Sequence, residues 1–420
     1  MVDVKDFLRD YAKKEGLFKN KKALQSNYTP SNVPYRDEQI GQVASILAPS
    51  LRMERPSNLF LYGKTGTGKT LVIGHVLENI LEVAKEEGLN LKTVYLNCKL
   101  KRVADTEYRL IAQIARELGQ DIPATGLPTD EVYKLFVKCL EKEKILLLLV
   151  LDEIDEVVKN TGDKILYNLT RINSELKESE ISIIGISNDL MFIDQVDPRV
   201  KSSLGEEEIV FPPYNAIQLQ KILRERAELS FESKIIGEGV IEKCAAYAAK
   251  EHGDARRALE LLRVAGELAE RNNSEQILVK YIDNAEEKIE RDRVVDIVST
   301  QPKQFKITLF SIIQVSDEYA KKNESGDFYT GDIYEVYKNN CLSTGTKPLT
   351  QRRVGDIIAE LDMSGIINAR VISKGRYGRT RRISLAVPEN IVKKIDLMLR
   401  EGLGLWMMML RKNVLNLSWI

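Results

Sequence analysis

The stretch LFLYGKTGTGKT, Leu59 to Thr70, decides the first domain of this 420-residue chain. Four apolar or aromatic residues lead into a glycine-rich turn that fits the pattern G-x-x-x-x-G-K-[ST], and the periodic stretch TLVIGHVLENILEVA overlaps its end. A strand, a glycine loop and a helix in this order bring several backbone N–H groups to one point, where they bind phosphate. The stretch therefore predicts a nucleotide-binding α/β domain.

Each part of this loop has its own task in the predicted site. The glycines let N–H groups close around the β- and γ-phosphates, the lysine adds a positive charge, and the Thr70 hydroxyl can ligate Mg²⁺. We therefore predict ATP or ADP, with Mg²⁺, as cofactors. The loop residues predicted to contact them are Gly63, Lys64, Thr65, Gly66, Thr67, Gly68, Lys69, Thr70 and Leu71.

Two further strand ends supply polar side chains for the same site. The apolar run ILLLLVLDEID reaches Asp152 and Glu153 about 83 residues after Lys69. The first carboxylate is predicted to ligate Mg²⁺, and the second to orient and deprotonate the attacking water. The next run, ISIIGISND, ends near Asn188, whose amide can hold that water. In isolation an asparagine at a strand end is more often a turn residue.

The composition limits the possible classes of function. The chain is 43% hydrophobic and 30% charged, which is typical of a soluble globular protein. Lys plus Arg and Asp plus Glu both total 62, so a nucleic acid would have to be met by a local basic patch. Four widely spaced cysteines and two histidines give no zinc spacing and indicate buried reduced thiols. With no signal-peptide pattern and no apolar run long enough for a bilayer, we expect a cytoplasmic protein.

The apolar patterning changes along the chain and predicts its domains. Buried strands alternate with helical patterns as far as FPPYN, the pattern is then helical, and after STQP three helices precede a hairpin, which is the winged-helix plan. The apolar tail GLGLWMMML is either a docking helix or a non-native extension. The predicted divisions are a loosely attached arm (1–24), an α/β nucleotide-binding domain (25–215), a helical domain (216–298), a winged helix (299–386) and a tail of uncertain origin (387–420).

The third helix and the hairpin of the last domain carry the nucleic-acid signal. The helix TQRRVGDIIAEL has Thr350 placed to cap it, and the hairpin has five basic and no acidic residues from Lys374 to Arg382. A basic hairpin alone is usually solvated surface, but a capped helix beside it favours duplex DNA. The residues predicted to contact DNA here are Gln351, Arg352, Arg353, Lys374, Arg376, Tyr377, Arg379, Arg381 and Arg382.

The motifs GKTGTGKT, DEID, ISND, DPRVKSSL and GDARRAL, in this order, resemble those of an AAA+ ATPase. With the winged helix, residues 25 to 385 resemble the archaeal replication initiators related to the largest origin recognition complex subunit and to the licensing factor that helps load the helicase. The resemblance implies slow ATP hydrolysis used as a switch, binding of origin duplex DNA at the nucleoid, and recruitment or loading of the replicative MCM helicase. It also implies other initiator copies or paralogues as partners on DNA.

The resemblance assigns roles to residues outside the phosphate loop. Asn188 corresponds to sensor 1, Arg199 to the arginine finger, and Arg256 to sensor 2 in the lid, where Arg257 is the alternative in register. A basic insertion that touches DNA is implied at Lys99, Lys101, Arg102 and Arg109, although a solvated face would have the same pattern. The residues implied to lie near the adenine are Val33, Pro34, Arg36 and Tyr214.

Two other functions compete with this interpretation. An ATP-driven unfoldase or helicase motor usually has an aromatic–hydrophobic–Gly pore loop after the second core strand, and KLKRVAD lacks one. A clamp-loader-like or transcription-regulating DNA-binding ATPase has the same core motifs, so those motifs leave it open. The winged helix behind the lid favours the initiator.

Overall fold

The structure of the chain is a computed structural model. It describes Lys5 and residues 16–26, 28–30, 32–99, 106–123, 126–192, 196–204, 206–321, 328–373 and 379–405. The chain divides into two compact units, Met1–Ala285 and Glu286–Ile420. Within these described ranges, no helix combines the length and the apolar character that a membrane span requires.

The first unit is built around a parallel five-stranded sheet. Its strand order is β2-β3-β4-β1-β5, and every neighbouring pair is parallel. The strands are β1 (Leu59–Tyr62), β2 (Leu91–Asn97), β3 (Leu146–Asp152), β4 (Glu180–Ser187) and β5 (Glu207–Val210). The helices described around this sheet are α1 (Asp37–Leu47), α2 (Lys69–Glu86), α3 (Glu107–Glu117), α4 (Thr129–Glu143), α5 (Ile154–Thr161), α6 (Lys164–Arg171) and α7 (Pro198–Leu204).

Strand β3 is an uninterrupted apolar run because both faces of the sheet are covered. Leu147 and Leu149 belong to a core cluster with residues of α3 to α6, whereas Leu146 and Leu148 belong to a cluster with residues of α1 and α2. Successive side chains point to opposite faces, so a strand buried on both sides loses the apolar–polar alternation. The predicted α/β core is confirmed. It places Asp152 at the carboxyl end of β3.

The rest of the first unit is a helical lid made of α8 (Ala216–Ser230), α9 (Val240–Lys250) and α10 (Ala255–Arg271). Within the predicted arm (1–24), the described residues 16–24 pack against this lid. The Phe18 and Phe231 ring centroids lie 4.8 Å apart, and the backbone N–H groups of Lys19 and Asn20 donate to the Ser230 carbonyl. Few apolar side chains are needed to attach this segment to the lid, because backbone hydrogen bonds also hold it there.

The second unit contains a helical core and a small antiparallel sheet of order β6-β8-β7. Its helices are α11 (Val279–Thr300), which contains the boundary between the units, α12 (Lys303–Lys321), α13 (Thr330–Ser343), α14 (Gln351–Met363) and α15 (Glu389–Gly402). Its strands are β6 (Phe328–Tyr329), β7 (Ile367–Ser373) and β8 (Arg379–Leu385). Helix α15 lies beyond residue 386, and its Ile391, Ile395 and Leu399 are buried in the core of this unit.

Candidate nucleotide-binding site and nucleic-acid interface

The loop between β1 and α2 requires glycine at positions where other parts of the first unit approach it. Gly66 has a φ of 68° and Gly68 a φ of 92°, both in the left-handed region. A Cβ on Gly66 would lie 1.7 Å from Asp254 Oδ1, and one on Gly68 would lie 2.9 Å from the Tyr214 hydroxyl oxygen. At these two positions, therefore, the loop has no room for a side chain.

Lys69 begins helix α2, and its ammonium group is folded back over the loop. Its Nζ donates to the Gly63 carbonyl at 2.6 Å, the Lys64 carbonyl at 2.8 Å and Asn188 Oδ1 at 2.9 Å. Burial lowers the pKa of Lys69 to about 8, while the nearby Asp152 carboxylate opposes this shift. The three acceptors hold the ammonium group at the place where the sequence predicts phosphate.

The Asp152 carboxylate is the centre of the predicted metal site. Its Oδ2 accepts from Thr70 Oγ1 at 2.8 Å and from the Tyr95 hydroxyl at 2.5 Å. A hydroxyl and a carboxylate at this separation are the oxygen ligands that Mg²⁺ prefers. The sequence analysis missed Tyr95, whose pKa is raised by burial and by the bond to Asp152. It sits on β2, two residues before the strand ends, and an aromatic residue there is typical of any strand.

Glu153 is held beside this pair in an unusual backbone conformation. Its φ is 56°, in the left-handed region that residues other than glycine rarely adopt. Its Oε2 is buried and has no hydrogen-bond partner among the described residues, although Lys99 Nζ lies 3.9 Å away. A carboxylate with an unused oxygen is what the predicted role toward water needs. Strained residues of this kind cluster at active sites, which supports that prediction.

Asn188 follows β4 in a loop that a buried carboxylate fixes. Asp155 Oδ1 accepts from Ser187 Oγ at 3.0 Å, and the same Ser187 oxygen accepts from the Asp189 backbone N–H at 3.0 Å. Lys159 Nζ donates to the other Asp155 oxygen at 2.9 Å. Asp155, the last residue of DEID, therefore positions the loop from which Asn188 reaches Lys69.

A cavity of about 420 Å³ joins the loop, the strand ends and the lid. Arg256 lines this cavity, whereas Arg257 Nε donates to Glu251 Oε2 at 3.0 Å. This geometry favours Arg256 as the lid cation, and its role as sensor 2 stays a prediction. Other lining residues come from the N-terminal segment and from helices α8 and α10, and they include Tyr28, Pro30, Asn32, Val33, Pro34, Ile222, Glu225, Arg226, Leu229 and Leu259.

Arg36 does not line the cavity, although the resemblance implied that it lies near the adenine. It is buried behind the phosphate loop, where Nε donates to the Thr67 carbonyl at 2.9 Å and Nη2 donates to the Pro212 carbonyl at 2.5 Å. Its guanidinium carbon lies 4.0 Å from the centroid of the Tyr214 ring. Tyr35, with a φ of 60°, turns the chain at this point. Val33, Pro34 and Tyr214 do line the cavity, and their place near the adenine stays a prediction.

Arg199 lies outside the lining of this cavity. It is exposed at the start of α7, where its guanidinium pairs with Asp197 at 2.9 Å and lies over the Tyr167 ring. Its role as an arginine finger stays a prediction.

The start of helix α14 presents the residues predicted to face a DNA major groove. Thr350 Oγ1 accepts from the Arg353 backbone N–H at 3.4 Å and caps the helix, as predicted. Gln351, Arg352 and Arg353 are exposed, and Arg353 Nη1 lies 3.5 Å from Asp356 Oδ2. The first turn therefore offers two arginines and an amide to a ligand.

The hairpin has a basic outer face that the sequence analysis only partly identified. Arg370 on β7 lies directly opposite Arg382 on β8, and both are exposed. Like charges facing each other destabilise a sheet, so this pair is suited to a polyanion. Arg381 points to the other face, where its Nη1 donates to the carbonyl of Gly355 in α14. Strand alternation turns this side chain toward the helix, and its predicted contact with DNA stays a prediction.

Several predicted DNA contacts cannot be placed. Lys101, Arg102, Lys374, Arg376 and Tyr377 lie outside the described residues, as does the side chain of Arg379. Arg109 is half-buried in the first turn of α3. Lys99 is exposed two residues after the end of β2. In the insertion, the described basic side chains are therefore Lys99 and Arg109.

The sheet, the phosphate loop, the lid and the winged helix define the class as an AAA+ ATPase with a C-terminal winged-helix domain. Three family profiles agree with this: an AAA domain over residues 52–188, a Cdc6 AAA+ ATPase-type lid domain over 220–287 and a CDC6 C-terminal winged helix domain over 296–395. ORC1-type DNA replication protein 1 of Methanosarcina acetivorans is 49% identical over 381 residues, which cover 91% of this chain and 90% of that protein.

Two further comparisons point the same way. The ORC1-type DNA replication protein of Pyrococcus furiosus is 48% identical over 385 residues and covers 90% of this chain and 89% of its own length. The structure of the Aeropyrum pernix ORC1 protein in complex with DNA matches with a TM-score of 0.82 and 44% identity, covering 92% of this chain and 98% of that one. The chain belongs to the family of ORC1-type DNA replication proteins.

Proposed function

We propose that this protein is an ATP-controlled replication initiator that binds origin duplex DNA and helps recruit or load the replicative helicase. The observation that carries the proposal is the arrangement of Lys69, Thr70, Asp152 and Arg256 around one cavity in a chain that also ends in a basic winged helix. The cavity fits a nucleotide, and the basic winged helix fits DNA. A protein whose nucleotide state controls its action on DNA needs both sites in one chain.

The nucleotide part of the proposal rests on the fit of the site residues to ATP and Mg²⁺. The loop N–H groups and Lys69 would hold the phosphates, and Thr70 and Asp152 would hold Mg²⁺, which supplies charge neutralisation at the phosphates. Glu153 would take a proton from a water that Asn188 orients, since its Oε2 has no other hydrogen-bond partner in the described part of the chain. We expect slow hydrolysis, because Arg199 lies outside its own cavity.

The DNA part rests on exposed arginines and on the family. Arg352 and Arg353 lie at the start of a helix, and Arg370 and Arg382 lie opposite each other on the hairpin. Guanidinium groups bind phosphate oxygens and guanine edges, so this surface suits a duplex. The 44% identical Aeropyrum pernix ORC1 protein has been solved with DNA. We infer the same ligand here, with other initiator copies and the MCM helicase as partners at the nucleoid.

A chromatin-immunoprecipitation map of the protein in its own organism tests this function against the alternatives. We expect a few sites that coincide with the replication start points seen by marker-frequency analysis. Lys69→Ala, which removes the buried ammonium group, should alter helicase recruitment at these sites more than occupancy by the protein itself. Occupancy mainly at promoters away from replication starts would instead support a transcription-regulating ATPase, and sites that follow moving forks would support a clamp-loader-like one.

A further inference from the structure

One face of helix α8 lines the same cavity as the phosphate loop. Ile222, Glu225, Arg226 and Leu229 all line the cavity, and their spacing of three, four and seven residues places them on one side of the helix. Ile222 and Leu229 are the apolar residues expected on such a face. Arg226 is unexpected on this face, because it is a charged residue and is buried.

Arg226 is buried without the partners that a guanidinium group needs. Only 7% of the residue is exposed, and its Nη1 has no hydrogen-bond partner within the described ranges. The Tyr28 ring lies 4.4 Å from the guanidinium carbon, and burial lowers the pKa of Arg226. A guanidinium carries five N–H donors, and a donor buried without an acceptor destabilises the fold. A bound ligand that brings an acceptor would remove this cost.

The position of Arg226 decides which part of a nucleotide could bring that acceptor. Lys69 and the glycine loop hold the phosphates, so the base and ribose must occupy the rest of the cavity, whose lining includes Tyr28, Asn32 and Arg226. The base and the ribose offer uncharged nitrogen and oxygen acceptors. A donor-only side chain is complementary to them, and the apolar Ile222 and Leu229 pack well against a ring.

We propose that Arg226 is a specificity-determining residue that donates a hydrogen bond to an acceptor on the base or ribose of the bound nucleotide. The inference rests on the proposed nucleotide function and adds the residue that recognises the nucleoside part. Tyr28 holds the guanidinium plane in place through its ring, since arginine stacks on aromatic faces. Binding of the nucleotide then relieves an unfavourable burial in the lid.

The first test compares a nucleotide with its phosphates alone on the full-length protein. For Arg226→Met, which keeps a long chain without donors, the dissociation constant for MgATP should rise about 10- to 100-fold, as for loss of a charge-assisted hydrogen bond. The dissociation constant for magnesium tripolyphosphate should stay within about twofold, because that ligand has no base or ribose. Arg224→Met is the matched control, since Arg224 lies on the exposed side of α8 and pairs with Glu242; it should change neither constant.

The second test locates the acceptor with ATP analogues that each lack one atom, namely N1, N3, N7 or the 2′-hydroxyl. One analogue should bind the wild type more weakly and show no further loss with Arg226→Met. Equal weakening of MgATP and tripolyphosphate, or an undiminished Arg226→Met loss with every analogue, would overturn the proposal. If Arg226→Met does not fold, Arg226→Leu, which also lacks donors, gives the same comparison. A folded wild type that binds no MgATP would instead contradict the proposed function.

Discussion

Lys69 illustrates how burial tunes a single side chain in this protein. Its pKa falls to about 8 because the ammonium group is removed from water, and the nearby Asp152 carboxylate only partly compensates. A neutral amine gives no positive charge to a phosphate. In the nucleotide-free protein the amine therefore loses its proton as pH rises through about 8, and binding of a triphosphate restores that proton.

The affinity for MgATP should consequently depend on pH in one direction. We expect a constant dissociation constant below pH 7.5, where the amine is already charged, and a rise of up to about tenfold per pH unit above 8. Calorimetry in two buffers of different ionisation enthalpy should detect proton uptake at pH 9 and none at pH 7. Lys69→Arg, whose guanidinium stays protonated, should show no such rise. An affinity that is flat to pH 9.5 would contradict the assigned pKa.

At the scale of elements, β8 is attached to helix α14 by Arg381, whose guanidinium donates to the Gly355 carbonyl. Its neighbour Arg382 faces outward, opposite Arg370. Two adjacent arginines in one strand thus have different surroundings, since successive side chains point to opposite faces. Arg381 acts on the placement of the DNA-facing helix, and Arg382 is placed to meet phosphate directly.

These two arginines should respond differently to alanine substitution. For Arg382→Ala and Arg370→Ala we expect weaker binding to every duplex and a salt slope reduced by about one unit, because each removes one phosphate contact. Arg381→Ala should weaken binding without changing the slope and should lower the free energy of unfolding by about 1 kcal/mol, the usual value of one hydrogen bond. Fluorescence anisotropy over a range of salt concentrations measures both quantities. The assignment fails if Arg381→Ala and Arg382→Ala shift the slope equally.

At the scale of the whole molecule, we expect hydrolysis to depend on an arginine that lies outside the lining of its own cavity. Arg199 pairs with Asp197 on the surface of the first unit, and the described lining of the cavity includes Arg256 but not Arg199. An arginine supplied by a neighbour can raise the rate of phosphoryl transfer by several orders of magnitude. On the proposed function, the site would be complete only when a second molecule supplies this arginine.

Complementation between two inactive variants tests this dependence. Arg199→Ala keeps its own nucleotide site and lacks the arginine, whereas Lys69→Ala keeps the arginine and lacks the ammonium group that holds the phosphates. Each alone should hydrolyse ATP slowly, and mixtures on origin duplex should recover activity that rises with protein concentration. In the control, a double variant carrying Arg199→Ala and Glu153→Gln replaces Lys69→Ala in the mixture. It supplies no arginine and should therefore restore no activity. Fast hydrolysis by dilute Arg199→Ala alone would sink the idea.

The sequence by itself determined the order of the domains and the ends of the main strands. The loop from Gly63 to Thr70, the carboxylates after β3 and the cap at Thr350 all occupy the positions predicted. These features are local, since a glycine turn, an apolar run and a capping hydroxyl act within a few residues of the chain. The short strand β6 and helix α15 were not predicted, because two residues carry no periodicity and the helix joins its core through distant contacts.

Only the tertiary structure decided which side chains meet in the site. Arg256 lines the cavity and Arg257 does not, because the phase of α10 relative to the loop separates two neighbours with the same chemistry. Arg36 binds the phosphate loop from outside the cavity lining, and Arg226 lines the cavity from a helix that the motifs left out. Periodicity shows which face of an element is buried. What covers that face depends on contacts between segments far apart in the chain, which no local pattern contains.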